Sequence, residues 1–129
     1  SMAQRNYHPM RLAQLLKAKL HHAHVTYANP DYVGSIEVDR YIMDQVGLKD
    51  GELVHVWAVD HTARIQTYIF GGPKGVVGLN GGAAHFFKAG DRVIIAAFDL
   101  TDEEIVPKVV LLNEENEVVR DMTPFTVVG

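Results

Sequence analysis

The 129-residue chain contains no cysteine. That absence excludes a disulfide framework, a thiolate metal site and a thiol nucleophile. Positive charge is also scarce: 12 Lys and Arg stand against 16 Asp and Glu, a formal net charge of −4. The concentrated basic surface that holds nucleic acid is therefore missing. No apolar run approaches the length needed to cross a bilayer, and the N-terminus shows neither the apolar core nor the small-residue cleavage site of a signal peptide. The expectation is a cytoplasmic protein with no membrane or nucleic-acid partner.

What is present is a hydrophobic content of 47%. That suffices for a single domain over 1–129 with a real core, in a chain too short for two ordinary domains. Residues 11–20, RLAQLLKAKL, read as helix by propensity and leucine spacing. From Lys19 onward KLHHAHVTYA alternates as a strand does, and a single long strand over the whole stretch stays open. Asp39 is placed to cap a short helix over 40–45, with Gly47 ending it. Strands are expected over 52–59 and 64–70, joined by a hairpin-length DHTA. Asn80 is positioned to cap a helical turn through GGAAHFF. The apolar run 91–98 suits a strand buried on both faces. TDEE, with Thr101 as cap and Glu104 closing a capping box, predicts another helical turn. Residues 108–121 read as a hairpin turning at 113–116. Many short strands with few helical turns predict a small, mainly β barrel or sandwich, and closure into a barrel removes exposed edges.

The candidate chemistry is sparse. His22-x-His24 would put two imidazoles on one strand face, but no third ligand follows at a metal-site spacing, so no metal is expected. No G-x-S-x-G elbow, P-loop or dinucleotide fingerprint is present. LNGGAAH offers backbone N–H groups of small residues at a helix start, able to receive a carboxylate or amide; a tight turn before a capped helix explains it equally well. Arg64 and Tyr68 fall on one face of a strand, with Thr67 on the other. Within NPDYVGSIEVD (29–39), Gly34-Ser35 is either an ordinary loop or a peptide bond that is itself reactive.

Order decides between these readings. Lys19-Leu20-His21, Thr26, Tyr32-x-Gly34-Ser35, Trp57, Arg64-x-x-Thr67-Tyr68 and LNGGAAH follow one another from about Met10 to about Phe98. Together they resemble the pyruvoyl-dependent aspartate 1-decarboxylase family, which makes β-alanine for pantothenate. Ile36 after the serine and Gly82, where alanine is frequent, depart from the pattern without touching the chemistry. The tail beyond Leu100 matches poorly, and nothing is carried over for it.

The resemblance implies a small double-ψ β-barrel with short helices, a homotetramer, and active sites between subunits. It implies self-cleavage between Gly34 and Ser35 into a β chain (1–34) and an α chain (35–129), leaving a covalent pyruvoyl group derived from Ser35. Thr67 would assist by hydrogen-bonding the Gly34 carbonyl oxygen, and Tyr32 would help orient the loop. The pyruvoyl ketone would form a Schiff base with L-aspartate and accept the electrons left by departing CO2, with Tyr68 as proton donor. A cation on the departing carboxylate would stabilise the ground state more than the transition state. Arg64 and Lys19 are therefore assigned to the retained carboxylate, and the departing one faces Trp57 and Ala83. Asn80 and the N–H groups of Gly81, Gly82 and Ala83 complete the expected pocket, with Thr67 also in contact with substrate. The alternatives are a non-catalytic β-barrel binding or assembly module, an uncleaved inactive precursor, and a decarboxylase for another acidic amino acid. Whether cleavage is spontaneous or needs a maturation factor stays open at this level.

Overall fold

A computed structural model describes residues 9–123. In chain order the elements are β1 (Ala13–His24), β2 (Tyr27–Asn29), β3 (Ser35–Asp39), α1 (Arg40–Val46), β4 (Leu53–Ala58), β5 (Arg64–Gly72), β6 (Val77–Asn80), a 3-10 helix (Gly81–Phe86), β7 (Arg92–Thr101), β8 (Lys108–Leu112) and β9 (Val118–Asp121). The strands lie in the order β2-β6-β3-β5-β4-β7-β1-β8-β9. The pairs β1/β8, β2/β6 and β3/β5 are parallel, and the other neighbours are antiparallel. This is the small, mainly β barrel with short helices expected from the sequence.

Alternation places the core. In β4, Val54, Val56 and Ala58 point inward while His55 and Trp57 face out. Leu20, Ile36, Ile69, Leu79 and Ile95 are fully buried, and each such burial stabilises by about 1.5–3 kcal/mol. Between the ladders, Thr26 N–H donates to Val77 O at 2.7 Å and Val25 N–H to Asp91 O at 2.9 Å. The buried Asn116 side chain accepts from His24 N–H and donates to the His24 and Gly75 carbonyls. It thereby ties the end of β1 to the β5–β6 turn.

Asp39 caps α1 as expected: its Oδ1 accepts from Tyr41 and Ile42 N–H, and its Oδ2 from Gly75 N–H at 2.8 Å. Gly47 ends the helix in the left-handed region at φ 78°. Three expectations need correction. Residues 11–20 are not a helix; the long strand β1 runs through them, because β7 and β8 pair with it on both sides. TDEE forms a bend in which Thr101 Oγ1 accepts from Glu103 N–H at 3.0 Å, and no helical turn follows. Asn80 precedes a 3-10 helix but makes no side-chain cap; its amide is engaged elsewhere. No helix among the described residues is long and apolar enough to cross a membrane.

Candidate active site

Ser35 opens β3 and pairs with Asn80, the last residue of β6. The loop before it, 30–34, is turned by Asn29, whose Oδ1 accepts from Asp31 N–H at 3.0 Å, and it carries Tyr32 and Val33 exposed. Gly34 is held from behind by Gly81, which adopts φ 65°. A Cβ on Gly81 would lie 2.6 Å from Gly34 Cα, 2.7 Å from Gly34 N and 3.0 Å from the Tyr32 carbonyl oxygen. Only glycine satisfies both the backbone angle and the contact. On the open side, a Cβ on Gly34 would meet the Asn80 carbonyl oxygen at 3.8 Å and Tyr68 Oη at 3.9 Å.

Strand β3 runs parallel to β5 with Ile36 opposite Ile69. Continued toward the N-terminus, that register brings Ser35 level with Tyr68 and Gly34 level with Thr67. Tyr68 stands edge-on to Phe70, with ring centres 5.6 Å apart.

Asn80 is buried, and its Nδ2 donates to Tyr27 Oη at 3.1 Å and to Ser35 Oγ at 3.4 Å. Tyr27 Oη in turn donates to Glu37 Oε1 at 2.7 Å. Burial raises the Tyr27 phenol pKa, the bond to Glu37 adds to the rise, and the bond from Asn80 partly opposes it. Asn80 Oδ1 is buried with no partner among the described residues. Sequence reading missed Tyr27 and Glu37. The signal lay in the alternation of β3, where Glu37 shares the face of Ser35 while Ile36 and Val38 are buried.

A second group lies farther along the barrel's outer face. Trp57 of β4 sits opposite Arg64 of β5, whose Cζ is 4.8 Å from the indole centre. His55 touches Trp57 and Phe98, at 5.8 and 5.3 Å between ring centres. Lys19, half-buried, shares a row with Ala96 and His55. Arg64 is four residues from Tyr68 on the same strand, roughly 13 Å at the usual strand rise. One chain therefore gathers Gly34, Ser35, Tyr68, Asn80 and Gly81 in one place and sets Trp57 against Arg64 in another, with Lys19 two strands from β4 in the row of His55. Gly82 and Ala83 lie in the 3-10 helix beside the first group, with open space over Gly82.

The His22-x-His24 pattern does not persist as a shared face. A bulge between Leu20 and Ala23 puts His22 at φ 59° and stacks its ring on His21 at 4.0 Å. Among the described residues, no three His, Asp or Glu side chains gather in a way that could hold a metal.

The chain is similar to known proteins over most of its length. A family model described as aspartate decarboxylase matches residues 10–119, past Phe98 and into the β8–β9 hairpin. An aspartate 1-decarboxylase of Exiguobacterium sibiricum is 48% identical over 113 residues, 83% of this chain and 89% of that protein. One of Thermotoga petrophila is 42% identical over 108 residues, 82% of this chain and 95% of that protein. One of Hyphomonas neptunium is 44% identical over 115 residues, 84% of this chain and 98% of that protein.

Proposed function

The chain belongs to the aspartate decarboxylase family, and from that membership we infer that it is a carboxy-lyase converting L-aspartate to β-alanine and CO2, the β-alanine serving pantothenate and hence coenzyme A synthesis. The observation that carries this reading is the setting of the Gly34–Ser35 bond. It is pressed against Gly81, faced by Tyr68 Oη, and within reach of the Asn80 amide.

Maturation uses the chain's own atoms. Ser35 Oγ attacks the Gly34 carbonyl carbon, the C–N bond breaks, and the hydroxyl proton ends on the Ser35 nitrogen, giving an ester. Loss of the Ser35 Cα proton and cleavage of the Cβ–Oγ bond release 1–34 with a Gly34 carboxylate. The dehydroalanine left at position 35 takes up water and loses ammonia, becoming a pyruvoyl group. Gly34, with no side chain, leaves its carbonyl open to attack. The Thr67 hydroxyl donates to the carbonyl oxygen as charge develops there.

The residues around Ser35 fit such a group: Gly81, without a side chain, leaves room at Gly34, and Asn80 Nδ2, 3.4 Å from Ser35 Oγ, offers a donor to a carbonyl oxygen. Once formed, the pyruvoyl group supplies the electron sink that ordinary side chains lack. Tyr68 holds a phenolic proton beside the reacting carbon and delivers it as CO2 departs. Asn80, Thr67 and the N–H groups of Gly81, Gly82 and Ala83 line the pocket and orient the substrate. Arg64 and Lys19 bind the retained carboxylate, Arg64 with a fork suited to two parallel hydrogen bonds. The departing carboxylate is left facing Trp57 and Ala83.

Arg64 is held over Trp57, roughly 13 Å along β5 from Tyr68, farther than aspartate bridges. That separation supports a site completed by a second copy, in which one subunit contributes Ser35, Tyr68 and Asn80 and its neighbour Lys19, Trp57 and Arg64. A homotetramer with active sites between subunits follows as part of this reading. The test is CO2 release from L-aspartate by purified protein, beside the Ser35→Ala variant. Release by the parent chain alone supports the reading. Equal release by both, or none from a processed parent, overturns it.

A further inference from the structure

Three side chains behind Ser35 form a directed hydrogen-bond chain: Glu37 Oε1 accepts from Tyr27 Oη at 2.7 Å, and Tyr27 Oη accepts from Asn80 Nδ2 at 3.1 Å. Direction follows from donor inventory. A carboxylate accepts and does not donate, so the single phenolic proton of Tyr27 points to Glu37. The phenol oxygen then has only lone pairs for Asn80, which must present its NH2 end. That choice leaves the second amide proton for Ser35 Oγ, at 3.4 Å, and directs Oδ1 into the interior without a partner.

The surrounding backbone makes room for this chain. A Cβ on Gly78 would run into the Tyr27 ring, and a Cβ on Gly72 into the Glu37 carboxylate. Tyr27 lies opposite Gly78 in the β2/β6 pair, and Asp39, two residues beyond Glu37, lies opposite Gly72 in the β3/β5 pair. Each flanking strand thus has a glycine where the network passes. An orphaned acceptor such as Asn80 Oδ1 costs about 1–3 kcal/mol when buried. Left to itself, the amide would be free to turn over and present Oδ1 toward Ser35.

We propose that Tyr27 and Glu37 are positioning residues that lock the Asn80 side chain with Nδ2 toward Ser35 Oγ, so that the nucleophilic oxygen of the maturation step accepts a hydrogen bond and its own proton is directed away from Asn80. Neither residue touches the scissile bond; both act through Asn80. The proposal rests on the reading of Gly34–Ser35 as the bond that is cleaved.

The experiment measures the cleavage rate by mass under denaturing conditions for the parent chain, Tyr27→Phe, Glu37→Gln, Asn80→Ala and the Tyr27→Phe/Asn80→Ala pair. Tyr27→Phe keeps the ring that packs on Gly78 and should slow cleavage roughly 3- to 10-fold, the worth of one neutral hydrogen bond. In the Asn80→Ala background the same change should do nothing further, since a residue that acts through a removed partner is not additive with its loss. Glu37→Gln, which frees the phenolic proton to turn, should slow cleavage in the same sense. A nuclear magnetic resonance measurement on each protein follows the Asn80 side-chain amide. Its protons should exchange slowly in the parent and fast in Tyr27→Phe, while backbone signals of the core strands stay in place. Unchanged cleavage in Tyr27→Phe, or equal slowing with and without Asn80, overturns the proposal. If the parent chain never cleaves, the reading of the site fails instead, and the amide exchange alone decides whether Tyr27 and Glu37 hold Asn80.

Discussion

Gly81 presses its backbone directly against Gly34: a methyl group on Gly81 would sit 2.6 Å from Gly34 Cα. Two glycines thus share the closest approach in the site, one just before the serine and one opening the 3-10 helix. Gly81 also holds φ 65°, where a side chain adds about 1–2 kcal/mol of strain before any overlap. Gly81→Ala should therefore displace the loop and suppress formation of the two fragments, read by mass. Gly82→Ala, with nothing within 4 Å of its new methyl, should be processed like the parent. Equal behaviour of the two variants would count against the close approach as a requirement.

Tyr68→Phe separates maturation from turnover. The phenol reaches the Gly34 region but is assigned to the proton returned after CO2 leaves. The variant should still yield both fragments while CO2 release falls by about 10²-fold or more, the usual contribution of a positioned acid. Activity within a few-fold of the parent in a fully processed sample would remove Tyr68 from that role.

Arg64→Lys tests the division of labour between the two carboxylates. A lysine keeps charge but loses the fork and the flat contact with Trp57. For aspartate, kcat/KM should fall roughly 10- to 100-fold. For a 2-amino acid of equal length lacking the side-chain carboxylate, the change should be small. Equal losses on both substrates would mean that Arg64 does not read that group.

Stability should depend on pH through the stacked His21–His22 pair. Burial lowers the pKa of both rings. Charge repulsion lowers it further: His22, Lys19 and Arg92 act on His21, and Arg92, His24 and Lys19 on His22, with Asp60 opposing at His22. The unfolded chain, with ordinary imidazoles near 6.5, then binds more protons than the folded one below that pH. Their contribution is fully present above about pH 6.5 and is lost as pH falls from there through the lower folded values. Thermal melts of the parent between pH 7.5 and 5 should drop, and a His21→Gln/His22→Gln variant should drop less over the same window. Parallel curves would place the dependence elsewhere.

The loop at Gly34-Ser35 was legible because the residue types that mark it stand in a recognisable order: glycine, serine, then the Arg-x-x-Thr-Tyr strand and the Asn-Gly turn. The structure brings Gly34, Ser35, Tyr68, Asn80 and Gly81 together as that order suggested. The barrel strands β4, β5 and β7 were legible for a similar reason, since alternation or a continuous apolar run marks how many faces are covered.

What failed was decided by partners distant in sequence. Leucine, alanine and lysine favour helix locally, yet β7 pairs along 13–24 and β8 adds a second partner at 18–21, which overrides that preference. Asn80 looks like a cap until Tyr27, 53 residues away, takes its amide. Glu37 and Tyr27 were invisible as a pair because β6, paired with both of their strands, is what brings the Tyr27 hydroxyl to the Glu37 carboxylate. Arg64 was assigned with Lys19, and Trp57 with Ala83; the structure sets Arg64 over Trp57, across the β4/β5 pair. Their distance from Ser35 along a single chain could not be read without the register of β5.

The most direct measurement is the mass of the purified protein under denaturing conditions after prolonged warm incubation, with and without added cell extract. The account predicts two fragments, 1–34 and 35–129, the larger lighter by one ammonia than a chain beginning with serine. A single intact chain that persists in both conditions would contradict it.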